Sequence, residues 1–233
     1  MNFLESDALV VRTVDFGESD VIATLVTERS GKLSAVVRGA RKGSRRIGGA
    51  LEPIHTIGVV LDDKPRSELA TLKEARIVRM RPGVVGSLDA LDAAGVALRW
   101  ARHLFPPRTP EPEGWRVLVD LLDVLEAGST APRRELARAG LALLVAVGYG
   151  LDLERCVACG RPCPEGKMAC VDPGRGGLVC KACGGAASVL LPAGREAARA
   201  LARGESAGVG AKDAEDVLAL VDRAMAAHAG FER

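Results

Sequence analysis

The hydrophobic period of this chain changes once, at Arg81-Pro82-Gly83, and that switch constrains the fold more than any other feature. Before it, short β-branched runs alternate with turn residues at intervals of about ten to fifteen, the pattern of half-buried strands. Five strands are expected, at Ala8 to Val14, Val21 to Thr27, Lys32 to Val37, Ile54 to Leu61 and Leu69 to Val78. Glu28-Arg29-Ser30-Gly31 joins the second and third as a tight hairpin, with Gly31 supplying the left-handed residue. Five short strands in so little chain favour a small closed barrel, because closure removes exposed edges. The oligonucleotide-binding (OB) barrel has this strand count, and an SH3-like barrel is its rival.

After the switch, helices take over. Leu88, Leu91, Ala94, Leu98 and Ala101 form one apolar stripe, ended by Pro106-Pro107. Trp115, Val119, Leu122 and Leu125 form a second, stopped by Gly128. A third helix runs from Pro132, with Thr130 as its expected cap, to Gly148. Arg195 to Arg203 and Asp213 to Ala227 read as two more. Between them lies an insert rich in cysteine and glycine. The expected architecture is α+β and multidomain: an OB barrel at 1–81, a helical domain in two parts at 82–154 and 187–233, and a zinc-finger insert at 155–186. There is no internal repeat.

The insert carries two knuckles, Cys156-x-x-Cys159 and Cys180-x-x-Cys183, with twenty residues between them. Two-residue gaps let a tight turn aim both sulfurs at one ion, and Gly160 and Gly184 permit the turn that exposes backbone amides to the thiolates. This is zinc-ribbon spacing. Disulfides compete as a reading, but Glu5 and Asp7 occupy the segment where a secretory signal needs lysines and then apolar residues, so a reducing, cytoplasmic setting is expected. Four thiolates would close the shell of one structural zinc per chain and leave no open position for catalysis. Cys163 and Cys170 are left over and read as spare thiols. The four ligands and one divalent ion together carry −2, which would take the formal charge of +2 to zero.

Such a balance predicts no overall affinity for nucleic acid, and seven aromatic residues in 233 leave little for stacking bases. The charge is unevenly placed, however. Between Arg29 and Leu51 there are seven basic residues, Arg29, Lys32, Arg38, Arg41, Lys42, Arg45 and Arg46, and no acidic one. Five of them fall within Arg38 to Arg46, among glycines that let a backbone follow a phosphate chain. A charge run is often only a solvated loop, but OB barrels bind strands across one face and its flanking loops. The longest uncharged runs, Ala139 to Leu151 and Ala182 to Gly194, have thirteen residues each, too few to cross a bilayer. No P-loop, nucleophile elbow, H-E-x-x-H helix or carboxylate–histidine cluster occurs, so an enzyme is not expected.

Val37-Arg-Gly-Ala-Arg-Lys-Gly-Ser-Arg45 with Leu51-Glu-Pro53, and Val147-Gly-Tyr-Gly-Leu-Asp-Leu-Glu-Arg-Cys-Val-Ala-Cys-Gly160 with Gly176-Gly-Leu-Val-Cys-Lys-Ala-Cys183, resemble the bacterial RecO family of DNA repair and recombination mediators. The order of barrel, helices, zinc insert and helices extends the likeness over essentially the whole chain. The resemblance implies binding of single- and double-stranded DNA and annealing of complementary strands. With RecR, it implies replacement of single-strand binding protein by RecA, and a functional link to RecF. It assigns DNA contact to Arg38, Arg41, Lys42, Arg45 and Arg46, with Arg29 and Lys32 as further candidates. Two other readings are compatible with the residues: a zinc-ribbon OB protein serving RNA or transcription, and a non-catalytic interaction scaffold.

Overall fold

The computed structural model describes residues 3–42, 47–64 and 67–229. Five strands, β1 (Phe3–Phe16), β2 (Asp20–Thr27), β3 (Gly31–Val37), β4 (Thr56–Asp62) and β5 (Leu69–Arg79), close a barrel in the order β1-β2-β3-β5-β4. The β3–β5 pair is parallel and the other four pairings are antiparallel. This connectivity decides for the OB barrel over the SH3-like one. β1 serves both halves, pairing with β4 over Phe3 to Leu9 and with β2 over Ala8 to Phe16. It is therefore longer than the expected strand, and a bulge between Val10 and Arg12 re-aims it. The outward acids Glu5 and Asp7 hide its first half from a hydrophobicity reading.

Alternation fills the barrel with Leu25, Leu33, Val37, Ile57, Val59 and Leu61, joined by Ile47 and Ala50 from the β3–β4 connection. Ile54, expected to open a strand, is buried with φ 83° and precedes β4. At the β2–β3 hairpin Gly31 has φ 65°, and a Cβ there would come within 1.8 Å of the Thr109 carbonyl oxygen. Glycine is thus required by the turn and by the close approach of the chain beyond the barrel.

Two compact units divide the chain, Met1–Glu126 and Ala127–Arg233. The first holds the barrel with α1 (Pro82–Val85), α2 (Leu88–Leu104) and α3 (Pro112–Glu126). The period switch at residue 81 therefore marks a change of secondary structure inside one packed unit. Arg81 shows why. Fully buried, it donates to Asp123 Oδ1 from Nε (3.2 Å) and Nη2 (3.0 Å), to Ile54 O (2.8 Å) and to Thr56 Oγ1 (2.9 Å), tying barrel to α3. α2 packs on β1 and β2, where the register pair Leu9 and Val26 is fully buried outside the barrel interior. Its buried face is made of Ala90, Ala93, Ala94, Ala97, Leu98, Trp100, Ala101 and Leu104, so Ala94, Leu98 and Ala101 of the expected stripe are buried while Leu88 (80% exposed) and Leu91 face outward. In α3, Leu118 and Leu121 are buried where Val119 was expected. The first turn of α2 carries the difference, with Ala90 buried in place of Leu88 and Leu91.

The second unit contains α4 (Pro132–Ala146), a small sheet of β6 (Asp152–Cys156), β7 (Ala169–Asp172), β8 (Gly177–Leu178) and β9 (Ser188–Leu190) in the order β6-β8-β7-β9, then α5 (Pro192–Ala202) and α6 (Ala211–Ala229). Ala131, not Thr130, occupies the cap position of α4. α4, α5 and α6 pack on one another. Tyr149 stacks on His228 of α6 with centroids 4.3 Å apart, and His228 Nε2 donates to Pro173 O at 2.9 Å, anchoring the sheet to the last helix. No helix among the described residues is long and apolar enough to cross a membrane.

Candidate nucleic-acid interface and metal centre

The cysteine cluster lies within the second unit. Cys156 ends β6, and Cys180 precedes the 3-10 turn Lys181–Cys183. One sulfur from each of Cys156, Cys159, Cys180 and Cys183 lies within 4.8 Å of the others. The Cys159 and Cys180 sulfurs are 3.8 Å apart. Four sulfurs about 2.3 Å from a central ion stand about 3.8 Å from one another at tetrahedral angles, so the spacing suits a metal ion. Gly160 (φ 71°) and Gly184 (φ 98°) turn the chain after each knuckle. The Cys180 N–H points at Cys156 Sγ (3.3 Å). This amide, with those of Ala158 and Cys159, lowers the Cys156 thiol to about 6 against the opposing effect of burial. Cys183 is raised to about 12, because its proton is shared in hydrogen bonds with the Cys180 and Cys159 sulfurs. The cluster thus favours a thiolate at Cys156 and holds a proton at Cys183, a proton that a bound cation would displace.

Arg195, 3% exposed in the first turn of α5, braces this lobe from below. It donates to Leu153 O (3.0 Å), Pro164 O (2.8 Å) and Cys163 O (2.9 Å). Cys163 and Cys170 lie outside the four-sulfur cluster and line an apolar cleft of about 230 Å³ beside Cys156 and Cys180. Sequence reasoning singled out neither the role of Arg195 nor the four-stranded sheet, because strands this short carry no period.

The first unit holds the basic stretch. After β3, Arg38 is exposed and Gly39 turns with φ 65°, its N–H donating to Asp20 Oδ1 (2.9 Å). Arg41 N donates to Ser19 O (3.1 Å), and its exposed guanidinium lies 3.6 Å from Asp15. The start of the stretch is thereby laced to the β1–β2 hairpin. Lys42 ends the short 3-10 turn Ala40–Lys42, while Arg45 and Arg46 lie outside the described residues. The two further candidates sit elsewhere. Lys32 Nζ donates to Arg102 O of α2 at 2.6 Å, and burial, then the neighbouring Arg102, lowers its pKa. Arg29 lines a groove of about 830 Å³ with Glu5, Asp7, Glu28 and Glu74, surroundings that repel phosphate. Arg12 and Phe16 escape a count of clustered charge, yet both are exposed on β1 at the hairpin that holds the basic stretch.

Models of two families cover the chain: Recombination protein O N terminal matches residues 1–81, and Recombination protein O C terminal matches residues 86–233. The chain belongs to the RecO family. The DNA repair protein RecO of Anaeromyxobacter sp. (strain Fw109-5) is 38% identical over 208 residues, spanning 88% of this chain and 80% of its own. Among other RecO proteins, that of Geobacter sulfurreducens is 36% identical over 185 residues (79% and 74%) and that of Myxococcus xanthus 34% over 194 (82% and 78%).

Proposed function

We propose that this RecO-family chain binds single- and double-stranded DNA, anneals complementary strands and, with RecR, helps to load RecA onto DNA covered by single-strand binding protein. The observation that carries the reading is the start of the basic stretch, Arg38 to Arg41, held at one end of an OB barrel by Asp15, Ser19 and Asp20. Arg38, Arg41, Lys42, Arg45 and Arg46 offset phosphate repulsion so that two strands approach, and the protein acts by binding energy without a catalytic step. Lys32 and Arg29 contribute to packing and to the acidic groove, not to DNA. One zinc ion, held by Cys156, Cys159, Cys180 and Cys183, fixes the lobe of β6–β9 as a structural centre. The setting is the cytoplasm, on the nucleoid when DNA is bound, with RecF linked functionally.

The test is an annealing assay on strands coated by single-strand binding protein, with and without RecR, together with a salt titration. Neutralising about five phosphates gives a slope of log affinity against log salt of about −3.5 on single strands, roughly a hundredfold loss between 50 and 200 mM. Reversing Arg41, Lys42, Arg45 and Arg46 to glutamate abolishes this dependence together with binding. A flat salt response in the unmodified protein, or full binding after charge reversal, overturns the reading.

A further inference from the structure

The barrel register assembles a surface that the charge count conceals. On β2 and β3 the residues that do not enter the core include Ile22, Thr24, Ser34 and Val36, and they pair Ile22↔Val36 and Thr24↔Ser34. Past its bulge, β1 adds Val14 opposite Ile22, Phe16 opposite Asp20 and Arg12 opposite Thr24. Three strands thus present the row Val14–Ile22–Val36 on one face, with Phe16 beside it and Arg12 along the same strand. The far end of this outer face is closed, since Leu9 and Val26 are fully buried and Lys32 reaches Arg102 of α2. The near end is open: Val14 is 43% exposed and Phe16 49%.

We infer that this open end of the β1–β3 face is a stacking platform for an unpaired base of single-stranded nucleic acid, with Phe16 as the ring beneath the base. The inference rests on the DNA-binding reading and deepens it, because it adds contact with bases to contact with phosphates. The occupant follows from charge and shape. Arg38 emerges from β3 one residue beyond the Val21–Val37 pair, next to the Asp20–Phe16 row, so a strand gripped by the basic stretch leads onto the ring. The acids of the hairpin do not close this path. Asp15 alternates to the other side of β1 and pairs with Arg41, and the Asp20 carboxylate accepts from Gly39 N–H and from the Ser19 hydroxyl. Glu18, exposed in the turn, repels phosphate, so affinity at this point comes from the ring and not from charge. A paired base inside a duplex cannot lie on the ring, whereas an unstacked one can. The platform therefore gives preference for single strands, and a base held on one ring keeps its pairing edge free.

The test compares single-stranded, duplex and abasic oligonucleotides on the full zinc-loaded chain. Base–aromatic stacking of about 1–3 kcal/mol predicts that Phe16→Ala weakens single-strand binding about 5- to 150-fold. Duplex binding and the salt slope are expected to stay unchanged, and Phe16→Trp to restore affinity. The unmodified protein should bind abasic strands as weakly as F16A binds normal ones. Phe16→Leu keeps apolar bulk without the ring and should behave like F16A; normal affinity in F16L overturns the platform. So does equal loss on single strands and duplex, or F16A that binds single strands like the unmodified protein with an unchanged melting temperature. If charge reversal in the basic stretch leaves DNA binding intact while F16A weakens it, the electrostatic reading falls and the platform stands.

Discussion

The barrel and the cysteine lobe are both small β structures, yet they meet the need for a core in opposite ways. Among the described residues the barrel buries fifteen apolar residues in a single interior cluster. The lobe from Asp152 to Leu190 buries only Leu153, Ala169, Val171, Pro173, Gly177, Leu178, Val179 and Leu190 besides Cys156. Its strands are two to five residues long. Segments that short offset little of the entropy of ordering a glycine-rich chain, and on the zinc reading proposed above a metal cross-link supplies the rest. On that reading the barrel's stability is spread over many contacts and the lobe's is concentrated in four sulfurs. Mutations should therefore act gradually in one and all at once in the other.

The sharpest way to break this contrast is Cys156→Ser or Cys183→Ser. Structural zinc contributes on the order of 10 kcal/mol to folding of such modules, so the lobe should unfold whole. Metal analysis should show the loss of one zinc per chain, and hydrogen exchange should rise over 152–190 while β1–β5 stay protected. Full metal retention would move attention to Cys163 and Cys170. Next in size, Asp123→Ala strands the buried Arg81 guanidinium and should cost about 3–5 kcal/mol in the first unit, read from denaturant unfolding. Leu25→Ala leaves a cavity in the barrel and should cost about 2–5 kcal/mol without altering metal content.

A smaller effect follows pH. Because Cys183 is raised to about 12, zinc must displace its proton, and affinity should rise with pH in chelator competition. The lowered Cys156 adds to the same trend: the stability from its thiolate is present above the ordinary value of 9.0 and is lost as pH falls through about 6. Zinc should therefore leave in mild acid, and a pH-independent affinity would refute the ligand set. The smallest effect belongs to Leu88→Ser. At 80% exposure this leucine should change stability by no more than about 0.5 kcal/mol, although the sequence pattern places it in the core.

Much of the fold was legible because it rests on local rules. Alternation located all five barrel strands, and the cysteine spacing picked out the four residues whose sulfurs converge. Legibility failed where a residue's fate depends on a partner far along the chain. The alanine face of α2 is chosen by β1 and β2, and polar Glu5 and Asp7 belong to a strand only because β4 pairs with them. The candidate interface was half legible. Clustered charge picked out Arg38 and Arg41, both exposed, together with Lys32, whose ammonium is turned to a helix carbonyl, and Arg29, which lies among acids, and only the surroundings tell them apart.

By itself, then, the sequence determined the period switch, the barrel's strand count, the four-cysteine set and the family, since each depends on residue type and spacing within a short span. Tertiary structure alone decided three things: that Arg81 joins barrel and helices into one unit, which cations stay available to a ligand, and that Val14 and Phe16 share a face with Ile22 and Val36. Each is a question of which distant strand or helix lies alongside. Strand register and helix docking are set by the sum of many weak contacts across the whole unit, and no short window of sequence contains that sum.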